Sequence, residues 1–255
     1  MRTNELKQKL RSGQPAFGVS VMIPSPQVVE MVGCLGFDWV LIDCEHGTIS
    51  RESVELMVMA AEANGITPIA RPATNSRDAI LQVLDRGAMG VQVPHVSTAA
   101  AARVAVQAAR YYPLGQRGLA AGTRPANYGF GVRLDEYVER ANDEILVCVQ
   151  IEEAEALANL DEIVQVEGID VFFVGPSDLS QSLKRPGQTD VPELQHAIDR
   201  VFTTVCKIGK TPGCAGNARA TREYLDKGVR YLYTHLTSLL STGSAEFLTA
   251  VKNSN

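Results

Sequence analysis

The 255-residue sequence has no apolar run long enough to cross a membrane and only one tryptophan, and its 24 Lys and Arg are outnumbered by 29 Asp and Glu. A formal net charge of −5 has no positive surplus to hold duplex nucleic acid or anionic lipid, so neither class of partner is expected. The five cysteines (Cys34, Cys44, Cys148, Cys206 and Cys214) are odd in number, show no C-x-x-C spacing and fall mostly in apolar runs. That pattern excludes a disulfide framework and predicts reduced core thiols in a cytoplasmic protein. The opening MRTNELKQKLRSG scatters charges where a signal peptide needs an apolar centre. A phosphate-binding glycine loop, a G-x-S-x-G elbow and a dinucleotide fingerprint are also missing, so no organic cofactor is expected. The seven lysines (Lys7, Lys9, Lys184, Lys207, Lys210, Lys227 and Lys252) all fall outside the strand-like runs. Imine chemistry, which needs a desolvated lysine, is thereby disfavoured.

What the chain does contain is a repeated alternation. Eight short runs rich in apolar and β-branched residues begin at Ala16, Asp38, Thr67, Met89, Ile145, Asp170, Thr211 and Val229. Helical patterns separate them over residues 26–35, 51–63, 76–85, 98–110, 153–165, 192–208 and 219–227, and a last one covers 242–251. Glycine followed by an apolar residue precedes several strands, as at Gly36-Phe37 and Gly87-Ala88, where it can close a helix in the left-handed conformation. Strands of nearly unbroken hydrophobicity alternating with helices predict a parallel sheet covered by helices. With 255 residues, the expected fold is a single-domain (β/α)8 TIM barrel over residues 1–255 rather than an open doubly wound sheet. One connection, residues 111–144, is longer than a loop needs to be. It is rich in Gly, Arg and Tyr, with a short helix expected near 134–140, and its first part is expected on the barrel floor.

In such a barrel, function sits at the C-terminal strand ends. The second strand ends Asp43-Cys44-Glu45-His46, the third in Arg71, the fifth in Gln150-Ile151-Glu152, and the sixth runs into Gly175-Pro176-Ser177-Asp178. Alternation puts Leu146, Cys148, Gln150 and Glu152 inward, with Val147, Val149 and Ile151 toward the helices. A carboxylate pointing into a barrel mouth needs a partner. Glu152 and Asp178 together, with water and substrate completing the shell, suit Mg2+ or Mn2+, with Co2+ also admissible. The competing reading pairs both carboxylates with an arginine such as Arg71. His46 lies three residues from Asp43 and is a candidate general base, while Arg71 is the cation for a developing oxyanion. His95 and His235 also follow strand ends, and His196 falls in a helical pattern.

The segments FDWVLIDCEHG, PIARPATNSRDAILQVLDRGAMGVQVPHV, ARYYPLGQRGLA and VQIEEAEALANLDEIVQVEGIDVFFVGPSDLS resemble the motifs of the HpcH/HpaI aldolase family, in order, from about Phe17 to Leu240. The resemblance implies a metal-dependent (class II) aldolase, often hexameric, that reversibly cleaves 4-hydroxy-2-oxo acids to pyruvate and an aldehyde. It implies Glu152 and Asp178 as metal ligands, and Gln150 with the backbone at Ser177 and Asp178 as substrate contacts. His46 would be the proton acceptor and Arg71 the enolate-stabilising cation. Asp85 in VLDRGA would raise the basicity of the histidine, where local spacing alone points to Asp43. The chain departs from the family pattern at Cys44, Ser177 and Ala120, none of which is a catalytic group. The same enolate machinery also suits a decarboxylase of oxaloacetate-like acids or an acyl-CoA ester lyase, although no basic cluster marks a CoA site.

Overall fold

The computed structural model describes residues 1–252. In chain order the elements are α1 (Glu5–Arg11), β1 (Ala16–Val21), α2 (Pro26–Cys34), β2 (Trp39–Asp43), α3 (Arg51–Ala63), β3 (Thr67–Arg71), α4 (Arg77–Asp85), β4 (Gly90–Val93) and α5 (Ala99–Ala109). A 3-10 turn at Arg124–Gly129 leads into α6 (Leu134–Glu144) and β5 (Leu146–Ile151). There follow α7 (Ala154–Ala158), α8 (Leu160–Ile163), β6 (Val171–Val174), α9 (Pro176–Ser182), α10 (Pro192–Lys207), β7 (Thr211–Ala215), α11 (Ala218–Asp226), β8 (Tyr231–His235) and α12 (Leu236–Lys252). The eight strands pair in parallel in sequence order, and β8 closes on β1 with Ala16 opposite Tyr231 and Ser20 opposite His235. This is the (β/α)8 barrel that the alternation predicts.

The loops entering five helices end on a residue that starts the helix. The side chains of Ser25, Ser50, Ser76, Thr98 and Asn217 accept the backbone N–H three residues on, capping α2, α3, α4, α5 and α11. Each such cap is worth about 1 kcal/mol. Two helical expectations change. The predicted helix over 153–165 is broken at Asn159 into α7 and α8, and Asn159 Nδ2 donates to the Ser97 carbonyl at 2.8 Å. The last helix begins at Leu236, earlier than 242.

Apolar residues divide into two layers. Val147, Val149 and Ile151 join the shell between sheet and helices, whereas Leu146 and Cys148 pack inside the barrel with Trp39, Leu41, Ile69, Phe173 and Tyr231. Trp39 and Tyr231 lie with ring centroids 4.2 Å apart, and a Cβ on Gly18 would fall 2.4 Å from the indole, so this floor requires glycine there. Leu6 and Leu10 of α1 close the N-terminal end of the barrel. Asn4 Nδ2 ties that plug to the carbonyls of Met89 and Glu144, both at 2.8 Å. Part of the long 111–144 connection lies beside it, where Tyr111, Ala126, Tyr137 and Ala141 form a small cluster of their own. With its lower half filled mostly by hydrocarbon, the barrel gathers its charged inward residues, Asp43, Arg71 and Glu152, at its C-terminal end. No described helix is long and apolar enough to cross a membrane. The five cysteines are free; Cys148 and Cys214 are buried as expected, but Cys34 and Cys206 are exposed.

Candidate active site

Strand register builds the first half of the site. Asp43 and Arg71, the last residues of β2 and β3, stand opposite each other and are both buried. Arg71 donates through Nε to Asp43 Oδ1 at 2.9 Å and through Nη2 to Oδ2 at 2.6 Å. Burial pushes the Asp43 carboxyl up, but the guanidinium outweighs it and holds the group below the usual carboxylate range. Asp43 Oδ1 also accepts the backbone N–H groups of Glu45 and His46 at 3.1 and 3.2 Å, folding the chain into a tight loop. Gly47 completes that loop; a Cβ there would lie 2.2 Å from the Asp43 carbonyl.

The second half comes from β4, β5 and α9. Glu152 is 1% exposed, and its Oε1 accepts the His95 backbone N–H at 2.8 Å, with His95 in the left-handed region at φ 55°. Gln150 donates its amide to the other oxygen, Oε2. Burial drives the Glu152 pKa up to about 7. The His95 N–H and ring pull it down, while Asp178 and Glu45 push it up further. Gly175 makes room for this carboxylate, because a Cβ there would sit 2.7 Å from Glu152 Oε2. Asp178 stands in the first turn of α9, on the same cavity.

Arg71 does not neutralise either acid. Its ion pairs are with Asp43 and, at 3.2 Å, Glu45. It reaches Glu152 only through Gln150, whose Oε1 accepts from Nη1 at 3.3 Å. The basic side chain beside Glu152 is the His95 ring, with Nδ1 at 3.6 Å. Among the described residues, no three His, Cys, Asp or Glu side chains are grouped to hold an ion. Two carboxylates facing one cavity with no arginine or lysine paired to either fit a hard divalent ion that draws its remaining oxygens from water or substrate.

A cavity of about 890 Å³ opens over these groups, lined by His46, Arg71, Glu152, Ser177, Asp178 and His235 among others. The structure thus gathers His46, Arg71, Glu152, Ser177 and Asp178 at one mouth, with Asp43 and Gln150 buried beneath. The carboxylates expected to orient His46 lie elsewhere within this chain. Asp85 bonds Arg117 at 2.8 Å and Asp43 is engaged by Arg71, so neither reaches the imidazole. The carboxylate within ion-pair range of His46 is Glu45, with Oε2 3.7 Å from Nε2. On the sequence alone Glu45 stands, beside Asp43, only as the hydrogen-bond partner of a surface His46; it also meets His95 Nε2 at 3.1 Å. Sequence reasoning passed over Gln92, an inward residue of β4 that donates to Gln150 Oε1 at 2.5 Å. The alternation of Gln92 with Val91 and Val93, read as it was for β5, carries that signal. His235, at the end of β8, lines the cavity, and burial and then Arg71 hold its pKa below the usual histidine value.

Residues 17–231 match the family described as HpcH/HpaI aldolase/citrate lyase. The chain is 36% identical over 248 residues to a 4-hydroxy-2-oxo-heptane-1,7-dioate aldolase of Escherichia coli, covering 97% of this chain and 94% of that one. Among solved structures it resembles an HpcH/HpaI aldolase/citrate lyase family protein from Burkholderia cenocepacia J2315 with a TM-score of 0.93, at 29% identity over 98% of this chain and 100% of that one. It also resembles the citrate synthase SbnG, with a TM-score of 0.87 at 32% identity over 97% of both chains.

Proposed function

The chain belongs to the HpcH/HpaI aldolase/citrate lyase family, and from that premise we propose that it is a divalent-metal-dependent aldolase acting on a 4-hydroxy-2-oxo acid. Its products are pyruvate and an aldehyde, formed reversibly. The observation that carries this reading is a pair of acids with no arginine or lysine partner: Glu152 is buried at the cavity with Asp178 beside it, and Arg71 is committed to Asp43 and Glu45. Glu152 and Asp178 would hold Mg2+ or Mn2+, which when bound supplies a Lewis acid for the keto oxygen of the substrate. The chain's own residues do the rest. Arg71, fixed by its fork with Asp43, presents positive charge to the enolate oxygen. Gln150, anchored between Arg71 and Glu152, offers its amide at the base of the pocket. His46, half exposed at the mouth, takes the proton of the C4 hydroxyl as the bond between C3 and C4 breaks; the bonding pair remains on the three-carbon fragment as the enolate. Proton return to C3 gives the methyl group of pyruvate, and the aldehyde leaves toward solvent. The backbone at Ser177 and Asp178 lines the same wall and would meet the substrate carboxylate.

A second reading takes its support from the 32% identical citrate synthase. The same enolate site would then act on an oxaloacetate-like acid, by decarboxylation or by joining carbon to carbon. A CoA ester is disfavoured because, among the described residues, Arg71 and Arg219 are the only arginines lining the cavity and no lysine lines it. Pyruvate release from a panel of 4-hydroxy-2-oxo acids, with and without EDTA, tests the proposal. Activity that survives complete removal of divalent ions would sink it; carbon dioxide release from oxaloacetate without any aldol cleavage would favour the second reading.

Self-association is part of the proposal, with six copies by family resemblance. Its support is α12, a 17-residue helix with no buried residue, on which Leu240, Phe247 and Val251 are at least half exposed. The five free cysteines support a reducing, cytoplasmic setting.

A further inference from the structure

Gln150 can face the site in two ways, and its neighbours choose between them. Its Oε1 accepts from Arg71 Nη1 and from Gln92 Nε2, while its Nε2 donates to Glu152 Oε2. Turned over, the amide would set its NH2 group against two donors and its oxygen against a carboxylate. Of the two groups on Oε1, Gln92 is the nearer, at 2.5 Å against 3.3 Å for Arg71. Gln92 turns its NH2 to Gln150 and its Oε1 to the Tyr231 hydroxyl, which donates to it at 3.1 Å. Tyr231 and Gln92 are wholly buried in the barrel, below the cavity, and neither lines it.

We propose that Gln92 is a positioning residue for the metal-holding carboxylate: it locks the amide of Gln150, which holds the second oxygen of Glu152 in place. The proposal rests on the reading of Glu152 as a metal ligand. Partners that orient a ligand from behind typically change metal affinity about 10- to 100-fold when removed. A chain of hydrogen bonds anchored at one end by a donor-only guanidinium and at the other by a carboxylate allows a single polarity along its length. Loss of Gln92 removes the nearer of the two donors on Gln150 Oε1 and leaves that oxygen held by Arg71 alone, at 3.3 Å, so the amide that holds Glu152 Oε2 is less tightly fixed.

The test is Mn2+ binding by calorimetry, with urea unfolding alongside. Gln92→Leu should bind Mn2+ about tenfold more weakly than the wild type. Gln92→Leu combined with Tyr231→Phe, which leaves no hydroxyl orphaned in the core, should show the same loss and carries the test if the single variant does not fold. On a Gln150→Leu background, Gln92→Leu should weaken binding no further, a coupling that a purely structural role would not produce. Wild-type affinity in Gln92→Leu overturns the inference alone, as does a full tenfold loss that persists without Gln150. A wild-type protein that binds no Mn2+ overturns the metal reading and this inference with it.

Discussion

Arg71 and Asp43 face each other across β2 and β3 and close a two-pronged ion pair, with Nη2 to Oδ2 at 2.6 Å and Nε to Oδ1 at 2.9 Å. The carboxylate is fully buried and the guanidinium nearly so. Removing Arg71 strands the buried Asp43 carboxylate, and removing Asp43 leaves Arg71 with Glu45 alone. Arg71→Ala should reduce deuterium exchange into the methyl group of pyruvate by about 100-fold or more, the usual scale for losing an oxyanion donor. Asp43→Ala should also lower stability by about 3 kcal/mol in urea unfolding, because it leaves the buried guanidinium only Glu45, at 3.2 Å, as a counter-charge. Normal exchange in Arg71→Ala would remove Arg71 from its assigned role.

Gly175 and Glu152 give a second test, because it separates space from chemistry. A methyl group at position 175 would lie 2.7 Å from Glu152 Oε2 and 3.1 Å from its Cβ, so the carboxylate must move. Gly175→Ala should therefore weaken Mn2+ binding about tenfold or more, by displacing a ligand without deleting it. Glu152→Gln, which keeps the shape and removes the charge, sets the lower limit of affinity. Calorimetric titration of both variants decides the matter; wild-type binding by Glu152→Gln would end the ligand assignment.

The barrel was legible because its information is local. Runs such as those at Ala16–Val21, Thr67–Arg71 and Thr211–Ala215 are bounded by turn residues and too short to be anything but strands. The alternation at Leu146–Ile151 told inside from outside before any register was known. Pairings within the site were not legible. That Arg71 takes Asp43 and Glu45, not Glu152, depends on strand order and on a loop folded around Asp43. Spacing placed Asp43 beside His46 in sequence, and the backbone N–H of His46 does bond it, but the ring does not. The seven-residue helix α1 went unpredicted because a charged, two-turn segment shows little periodicity; it forms because Leu6 and Leu10 bury against the barrel floor.

Lys7 makes the floor of the barrel sensitive to pH. Its ammonium is 4% exposed, 2.8 Å from the Ile145 carbonyl and 3.2 Å from Asp170 Oδ1. Burial lowers its pKa from 10.5 to about 8, against the opposing pull of Asp170. Between those two values the unfolded chain holds a proton that the native state has released, so this residue makes stability rise with pH across that window. Below pH 8 the cost is fully present, about 3 kcal/mol at most. Lys7→Met has no such titration, and Arg110 still donates to the Ile145 carbonyl at 2.6 Å. The unfolding free energy of the wild type relative to Lys7→Met should thus be flat below pH 8 and grow in favour of the wild type toward pH 10.5. A flat difference over the whole range would contradict the assignment.

The helix α12 has apolar residues at Leu236, Leu239, Leu240, Phe247, Leu248 and Val251, spaced to form one face, yet none is buried. An apolar face of that length is unfavourable in water unless something covers it, and a second copy of the chain carries the same face to offer. Leu240→Asp with Phe247→Asp places two charges seven residues apart on that face, where burial between subunits would cost far more than exposure. Light scattering coupled to size exclusion should show the wild type as a multimer and the double variant at lower mass, with the barrel's far-ultraviolet circular dichroism retained. Because α12 has no buried residue and meets the core through Leu236 at its start, the isolated chain should stay folded once separated. A wild type that elutes at the mass of one chain would refute self-association, and an unchanged multimer in the double variant would move the interface away from this helix.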